Sequence, residues 1–462
     1  MEASIRETIG NAYRDLGLYP AAKEQAQRVF DLRRRLLGER NRETLTSLSK
    51  LAMLYWFEGK YAQAASLFAK ILDLRRQALG EDDPDTLETM GNLGLLFQDQ
   101  GKYSEAEPLC RKVVEIQGRT LGEENHDRLS GMNNLAMLYT HESKFASAEA
   151  LYAKVLEVRK RTLGRQHPDT LATMNNLATL YAVQRKFTQA EPLCATVLEM
   201  ERRVLGEEHP DTLAVMNNLA SIYRNLGKYP QAESLCTRTL EVRRRVLGDE
   251  HPDTLLSMNN LALVYRAEAK YPLAKLWFVK TLEARRRVLG EDHPKTVDTA
   301  SYLAQTYENE GSYAPAESLY MRVLETRRRI LGPQHAATAS ILASLGRLRL
   351  KQKQCVTAEQ LLREALVIQE KNLDAWERYQ TRSLLGASLA GQKKYEDAEP
   401  LLISGSNGLT RNLAAIPWEN RPALWEAENQ IINLYRAWGK TDKAAEWQKR
   451  TEAGGAAQTR NP

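Results

Sequence analysis

Apolar positions recur along this chain in an order that repeats every 42 residues. In one unit Leu213, Met216, Leu219, Ala220 and Tyr223 fall three, three, one and three apart, which gathers them on one stripe of an α-helix. Further on, Ala232, Leu235, Cys236 and Leu240 mark a second helical stripe, and Gly227 punctuates the turn between the two. Pro210 suits a first helical turn, where its missing N–H costs nothing, and Asp211 meets the positive end of the helix dipole. Gly248 is expected to end the second helix as a left-handed C′ residue. Each unit therefore predicts helix A, a tight turn, a longer helix B and a loop carrying His-Pro.

The dipeptide Leu-Gly marks the register. It stands at Leu37-Gly38 and returns at every 42nd residue to Leu331-Gly332, eight times without insertion. Neither helix of a pair can bury its stripe alone, so successive pairs must stack into a continuous core. The expected fold is all-α, a solenoid of antiparallel helix pairs with about 11 repeats. Nine repeats of 42 residues are predicted over 1–375 and two divergent ones over 376–450. A disordered tail is predicted over 451–462, and an irregular connection from Gly405 to Pro422.

The motif Asn218-Leu219-Ala220 with Tyr223, then Gly227-Lys228-Tyr229 and Ala232-Glu233, resembles the tetratricopeptide repeat. The 42-residue period and the run from His209-Pro210-Asp211-Thr212-Leu213 to Met216-Asn217-Asn218 resemble its kinesin-light-chain-like subclass, over roughly residues 5 to 375. That resemblance implies a right-handed superhelical solenoid, and a scaffold or adaptor that holds an extended peptide in its concave groove. The flanks from Ala3 to Pro20 and from Ser383 to Leu402 are similar to the C-terminal repeat regions of large bacterial serine/threonine-kinase fusion proteins. The alternative they imply is a regulatory or substrate-recruiting module of a bacterial kinase system. The chain has no Gly-rich phosphate loop and no His-Arg-Asp or Asp-Phe-Gly triplet. It is read as a repeat-only relative or a piece of a longer protein, and its start inside a helix A favours the piece.

Composition narrows the partners. With 43% hydrophobic and 27% charged residues, the chain reads as a soluble helical protein. Its apolar runs are too short for a membrane span, and Met1-Glu2-Ala3-Ser4-Ile5-Arg6 lacks the order of a signal peptide. Four scattered cysteines form no disulfide framework, which points to a reducing cytoplasm. The net charge of +6 is too diffuse to indicate a nucleic-acid partner, and it leaves room for acidic ones.

Most conspicuous side chains follow the repeat. His126, His167, His209, His251, His293 and His335 lie in the inter-repeat loops a full unit apart, which suits loop structuring better than a shared metal ion. Cys110, Cys194 and Cys236 share a helix B register with Phe68 and Tyr320 and read as core. The arginine runs in the last turns of helix B, such as Arg243 to Arg245 and Arg285 to Arg287, admit a basic stripe for phosphate. They are better explained as a solvated face paired four residues back, as in Glu157/Arg161, Glu241/Arg245 and Glu283/Arg287. No catalytic residue, metal ligand or cofactor is expected.

Tandem asparagines stand apart, because asparagine is a poor helix former at mid-helix. They occur at 133–134, 175–176, 217–218 and 259–260. By the tetratricopeptide resemblance, the first of each pair faces the groove, where its amide can serve a peptide backbone. Hydrogen bonds closing adjacent repeats are the competing reading. The candidate peptide-binding residues are Asn133, Asn175, Asn217 and Asn259, with Arg224, Arg266, Met137 and Leu263 in neighbouring groove registers. Together they suit a partner with acidic and hydrophobic residues.

Overall fold

The computed structural model describes residues 1–371, 376–413, 416 and 420–458, apart from the side chains of 453–458. Among these the chain forms twenty-two helices arranged as A–B pairs, so that repeat n holds the nth pair. The first pair is α1 (Glu2–Asp15) and α2 (Tyr19–Leu37), and α3 (Arg42–Phe57) opens the second. Repeats 5 and 6 comprise α9 (Pro168–Val183), α10 (Phe187–Val204), α11 (Pro210–Asn225) and α12 (Tyr229–Leu247). The all-α repeat expectation holds throughout.

Local chemistry sets the helix starts. The residue before most of the A helices accepts the N–H two positions on, and several residue types do this work. Asn41 serves Glu43 at 2.9 Å, Asp83 serves Asp85 at 2.9 Å, and Asn125 serves Asp127 at 2.8 Å. The Nδ1 atoms of His167, His209, His251 and His335 accept the equivalent N–H at 3.1–3.2 Å. Four of the repeated histidines are thus helix N-caps. The threonine of His-Pro-Asp-Thr closes the same loop, with Thr170 and Thr212 donating to the carbonyls of Gly164 and Gly206 at 2.8 Å.

Packing within a pair depends on small residues. Ala22, Ala64, Ala106, Ala148, Ala190, Ala232, Ala274, Ala316, Ala358 and Ala398 occupy one helix B register and are all fully buried. The facing helix A register is small as well. A Cβ added at Gly94 would lie 2.6 Å from the Cys110 sulfur, and one at Gly346 would lie 2.5 Å from Leu362. This close approach lets the leucine stripes of neighbouring repeats interdigitate.

Successive repeats are joined by a buried arginine. Arg75 is 1% exposed and donates to the Asp85 carbonyl at 2.6 Å and to Thr89 at 2.7 Å. Arg159 serves Asp169 and Thr173, both at 2.9 Å, and Arg243 serves Asp253 and Ser257 at 3.0 and 2.9 Å. The arginine runs are therefore not wholly a solvated face, since one arginine of a run is a staple into the next helix A. The exposed ones also pair differently from expectation. Arg161 and Arg287 reach Glu124 and Glu250, 37 residues back on the preceding loop, at 3.0 and 2.8 Å, and Arg245 reaches Glu208 in the same way.

The chain divides into two compact units. Unit 1 comprises 1–222, 235–257 and 285–293, and unit 2 comprises 223–234, 258–284 and 294–462. Within unit 1 the chain returns on itself: His251 Nε2 meets the Asp15 carbonyl at 3.1 Å, and His293 Nε2 meets that of Phe57 at 3.2 Å.

Three local expectations change. Gly248 does have φ +88°, but its equivalents Gly38 and Gly80 pair φ of 89° and 92° with ψ of 163° and 171°. That is the glycine-only extended region, not the compact left-handed turn. Helix α20 (Tyr395–Arg411) carries residues 405–411 of the stretch expected to be irregular, and α21 begins at Pro422 and ends at Ala437. Helix α22 (Thr441–Gln458) extends into the expected tail, whose residues 459–462 lie outside the described residues. No helix is long and apolar enough to cross a membrane, among the described residues.

Candidate functional site

In unit 2, the A helices of successive repeats turn toward one open cavity of about 660 Å³. Arg224 reaches it from the end of α11, and Arg266 from the end of α13 (Pro252–Ala267). Gln305 lines it from α15 (Pro294–Glu310), and Arg347 and Lys351 line it from α17 (Ala336–Lys351). The wall closes with α19 (Glu377–Gly391) and the start of α21, which contribute Glu377 and Glu426.

These cations are held in different ways. The Arg266 guanidinium lies 5.2 Å from the centre of the Tyr302 ring and donates to the Gln305 amide oxygen. Arg347 forks onto Glu308 with contacts of 2.8 and 3.0 Å, and Lys351 reaches the same carboxylate at 3.0 Å. Tyr320 donates to Glu308 at 2.9 Å. Burial pushes the Glu308 carboxyl up, but Arg347 and Lys351 outweigh it and hold it at about 2. Arg224 differs, since its Nε is buried with no hydrogen-bond partner. A guanidinium carries five donors and no acceptor, so the part of Arg224 that lines the cavity presents only donors to it.

The other candidates are spread over both units. In unit 1, Asn133 is half-buried on α7 (His126–His141) with its Oδ1 unpartnered, and Met137 is half-buried one turn on. Asn175 accepts the Asn218 amide at 3.1 Å, across the junction of repeats 5 and 6. Asn217 is buried at 8% exposure. In unit 2, Asn259 is 5% exposed and accepts from Thr299 at 3.2 Å, and Leu263 is buried. The asparagines thus lie deeper than the resemblance implied, and part of their amide capacity closes adjacent repeats. Arg224 and Arg266 do come together on one cavity.

Sequence reasoning did not single out Glu308, Arg347 or Lys351. A signal was available in the register. Glu308 stands where the two preceding repeats carry Arg266 and Arg224, and Arg347 stands where they carry Gln305 and Leu263. No cluster of three metal-ligating side chains occurs among the described residues. Burial pushes the Cys110 and Cys194 thiols up to about 11 and about 12, away from reactive thiolates.

A stack of helix pairs built on one repeat and opening on a polar concavity defines a protein-interaction repeat scaffold. The tetratricopeptide repeat pattern matches residues 1–77, 48–119, 127–186, 170–211, 211–287 and 298–371, and the chain belongs to the tetratricopeptide repeat family. Among solved structures, it is similar to the nearly identical TPR-like repeats of a Podosopora anserina protein described as a kinesin light chain. That match has 28% identity and a TM-score of 0.38, and covers 44% of this chain and 96% of that one. BtubC (BKLC) from P. vanneervenii matches at 25% identity and TM-score 0.38, over 51% of this chain and 92% of that one. Human IFIT1 matches at 16% identity and TM-score 0.49, over 98% and 91%. None of the curated proteins matches the chain.

Proposed function

We propose that this scaffold holds an extended peptide segment with acidic and hydrophobic residues against the helix A faces of its repeats. The observation that carries the reading is the unit 2 cavity, built from the A helices of successive repeats and edged by Arg224 and Arg266. The Arg224 guanidinium on the cavity wall favours a carboxylate or backbone carbonyl from the segment. In unit 1, the half-buried Asn133, Asn175 and Met137 would form a contact of their own. The buried Asn217, Asn259 and Leu263 would each support the face of their own unit from beneath. Such binding needs no cofactor and no catalytic group, and a cytoplasmic setting suits the free cysteines.

The test is a pull-down from the source organism, followed by cross-linking to map the bound segment on the scaffold. Affinity for that segment is then measured with Arg224→Ala/Arg266→Ala and with Asn133→Ala/Asn175→Ala. The arginine pair is expected to weaken binding at least tenfold at unchanged helicity. Unchanged affinity, or cross-links confined to the helix B faces, would remove the reading. The flanks that are similar to kinase fusion proteins support a second role, recruiting substrates to a kinase. A kinase reading frame adjoining the coding sequence is its direct test.

A further inference from the structure

In repeats 1 to 9 one register of helix B holds arginine or glutamine everywhere except at the junction of repeats 5 and 6, where it holds an acid. The register reads Arg33, Arg75, Gln117, Arg159, Glu201, Arg243, Arg285, Arg327 and Gln369. Arg75, Arg159 and Arg243 each donate to the carbonyl ten residues on and to a hydroxyl fourteen residues on. Arg75 and Arg159 also reach a hydroxyl 29 residues back, on Thr46 and Ser130, both at 3.2 Å. At Glu201 the donor has become an acid and the hydroxyls are gone, since Val215 and Ala172 occupy those two places. Glu201 is 2% exposed, and its Oε2 has no hydrogen-bond partner.

We propose that the repeat 5–6 junction of unit 1 is a proton-gated joint, closed while Glu201 is a neutral acid and loosened when it ionises. An ionised carboxylate offers only acceptors, and burial denies it the water that would solvate its charge. A neutral acid carries no charge to desolvate and has one O–H to donate. Burial pushes the Glu201 carboxyl up to about 7, and the Asp211 carboxylate on α11 adds to the rise. No cation offsets this. The Cys194 thiol on the same helix is itself pushed up by burial and the Glu201 charge, and α9 places only Ala172 at the equivalent position.

The same junction carries the Asn218 to Asn175 hydrogen bond. Loosening it changes the spacing between Asn175 and Asn217, a consequence for binding that rests on the proposed peptide reading. The joint itself does not depend on that reading. Because the closed state holds its proton more tightly than an open one, closure is strongest below about pH 4.5 and is lost as pH rises through about 7.

Hydrogen–deuterium exchange of the full chain between pH 6 and 8, corrected for intrinsic rates, tests the joint. The opening equilibrium of α10 and the first half of α11 is expected to rise about tenfold across that range. The junction of repeats 2 and 3, stapled by Arg75, serves as the control and should not change. Glu201→Gln, which removes the ionisation, should abolish the rise, and Glu201→Arg, which restores the sister residue, should do the same. A flat profile in the native protein, or a rise that persists in Glu201→Gln, would overturn the proposal. Should Glu201→Gln fail to fold, carboxyl-carbon NMR of the native chain still decides. A buried glutamate titrating near neutrality supports the joint, and all glutamates titrating below pH 5.5 rejects it.

Discussion

Two glutamates, Glu201 in unit 1 and Glu308 in unit 2, are each 2% exposed and each lie at a contact between consecutive repeats. Their environments drive them apart. Glu308 receives Arg347, Lys351 and the Tyr320 hydroxyl, and its carboxyl is held at about 2. Glu201 receives no cation and is pushed up to about 7. Equal burial therefore says little about a buried acid's charge, and the groups on the neighbouring repeat decide it. In a solenoid those groups are always one period away, so one substitution in the next unit can turn a charged knot into a proton-dependent contact.

The largest effect that would break this comparison is expected at Glu308. Glu308→Gln leaves Arg347 and Lys351 against a neutral amide and should cost about 3–5 kcal/mol in urea unfolding. A loss below about 1 kcal/mol would mean the knot is not a buried ion pair.

The pH dependence comes next. Glu308 has a folded value near 2 against an ordinary 4.5, so it contributes about 3 kcal/mol above pH 4.5. That contribution disappears as pH falls toward 2. Glu201 has the opposite sign, because stability gained below pH 4.5 is lost as pH rises to 7. Chemical denaturation of Glu308→Gln and Glu201→Gln against the native chain, from pH 3 to 8, should separate the two windows.

A third measurement sharpens the contrast at the staple register. Arg243→Ala removes donors to Asp253 and Ser257 and should cost about 2–3 kcal/mol in the same assay. Glu201→Ala at pH 8 should cost less, since an ionised Glu201 makes no compensating contact there. The smallest effect is expected for Arg161→Ala. Its partner Glu124 is exposed, as it is itself, so the change should stay within about 0.5 kcal/mol.

Much of the fold was legible in the chain. The 42-residue spacing of Leu-Gly, the leucine stripe of helix A and the invariably buried alanine of helix B are local, periodic signals. They specify paired helices wherever they recur. The N-cap role of the histidines was half-legible, since their loop position was plain but the acceptor geometry was not. The asparagines show where such reading stops. Their register was clear, yet whether an amide faces open space or the next repeat depends on a neighbour 42 residues away. Arg224 and Arg266 were legible as groove residues. Arg347, Lys351 and Glu308 were not, because each looks like an ordinary surface charge until the stack is assembled.

Periodicity alone was enough to settle the helix pairs and their register, because both follow from backbone geometry and burial within a single unit. Assembly of the units settled which arginine of a run is buried, where the open concavity lies and what charge a buried glutamate carries. Those outcomes depend on contacts between residues about one repeat apart, and no local pattern encodes the distance at which two such side chains finally meet.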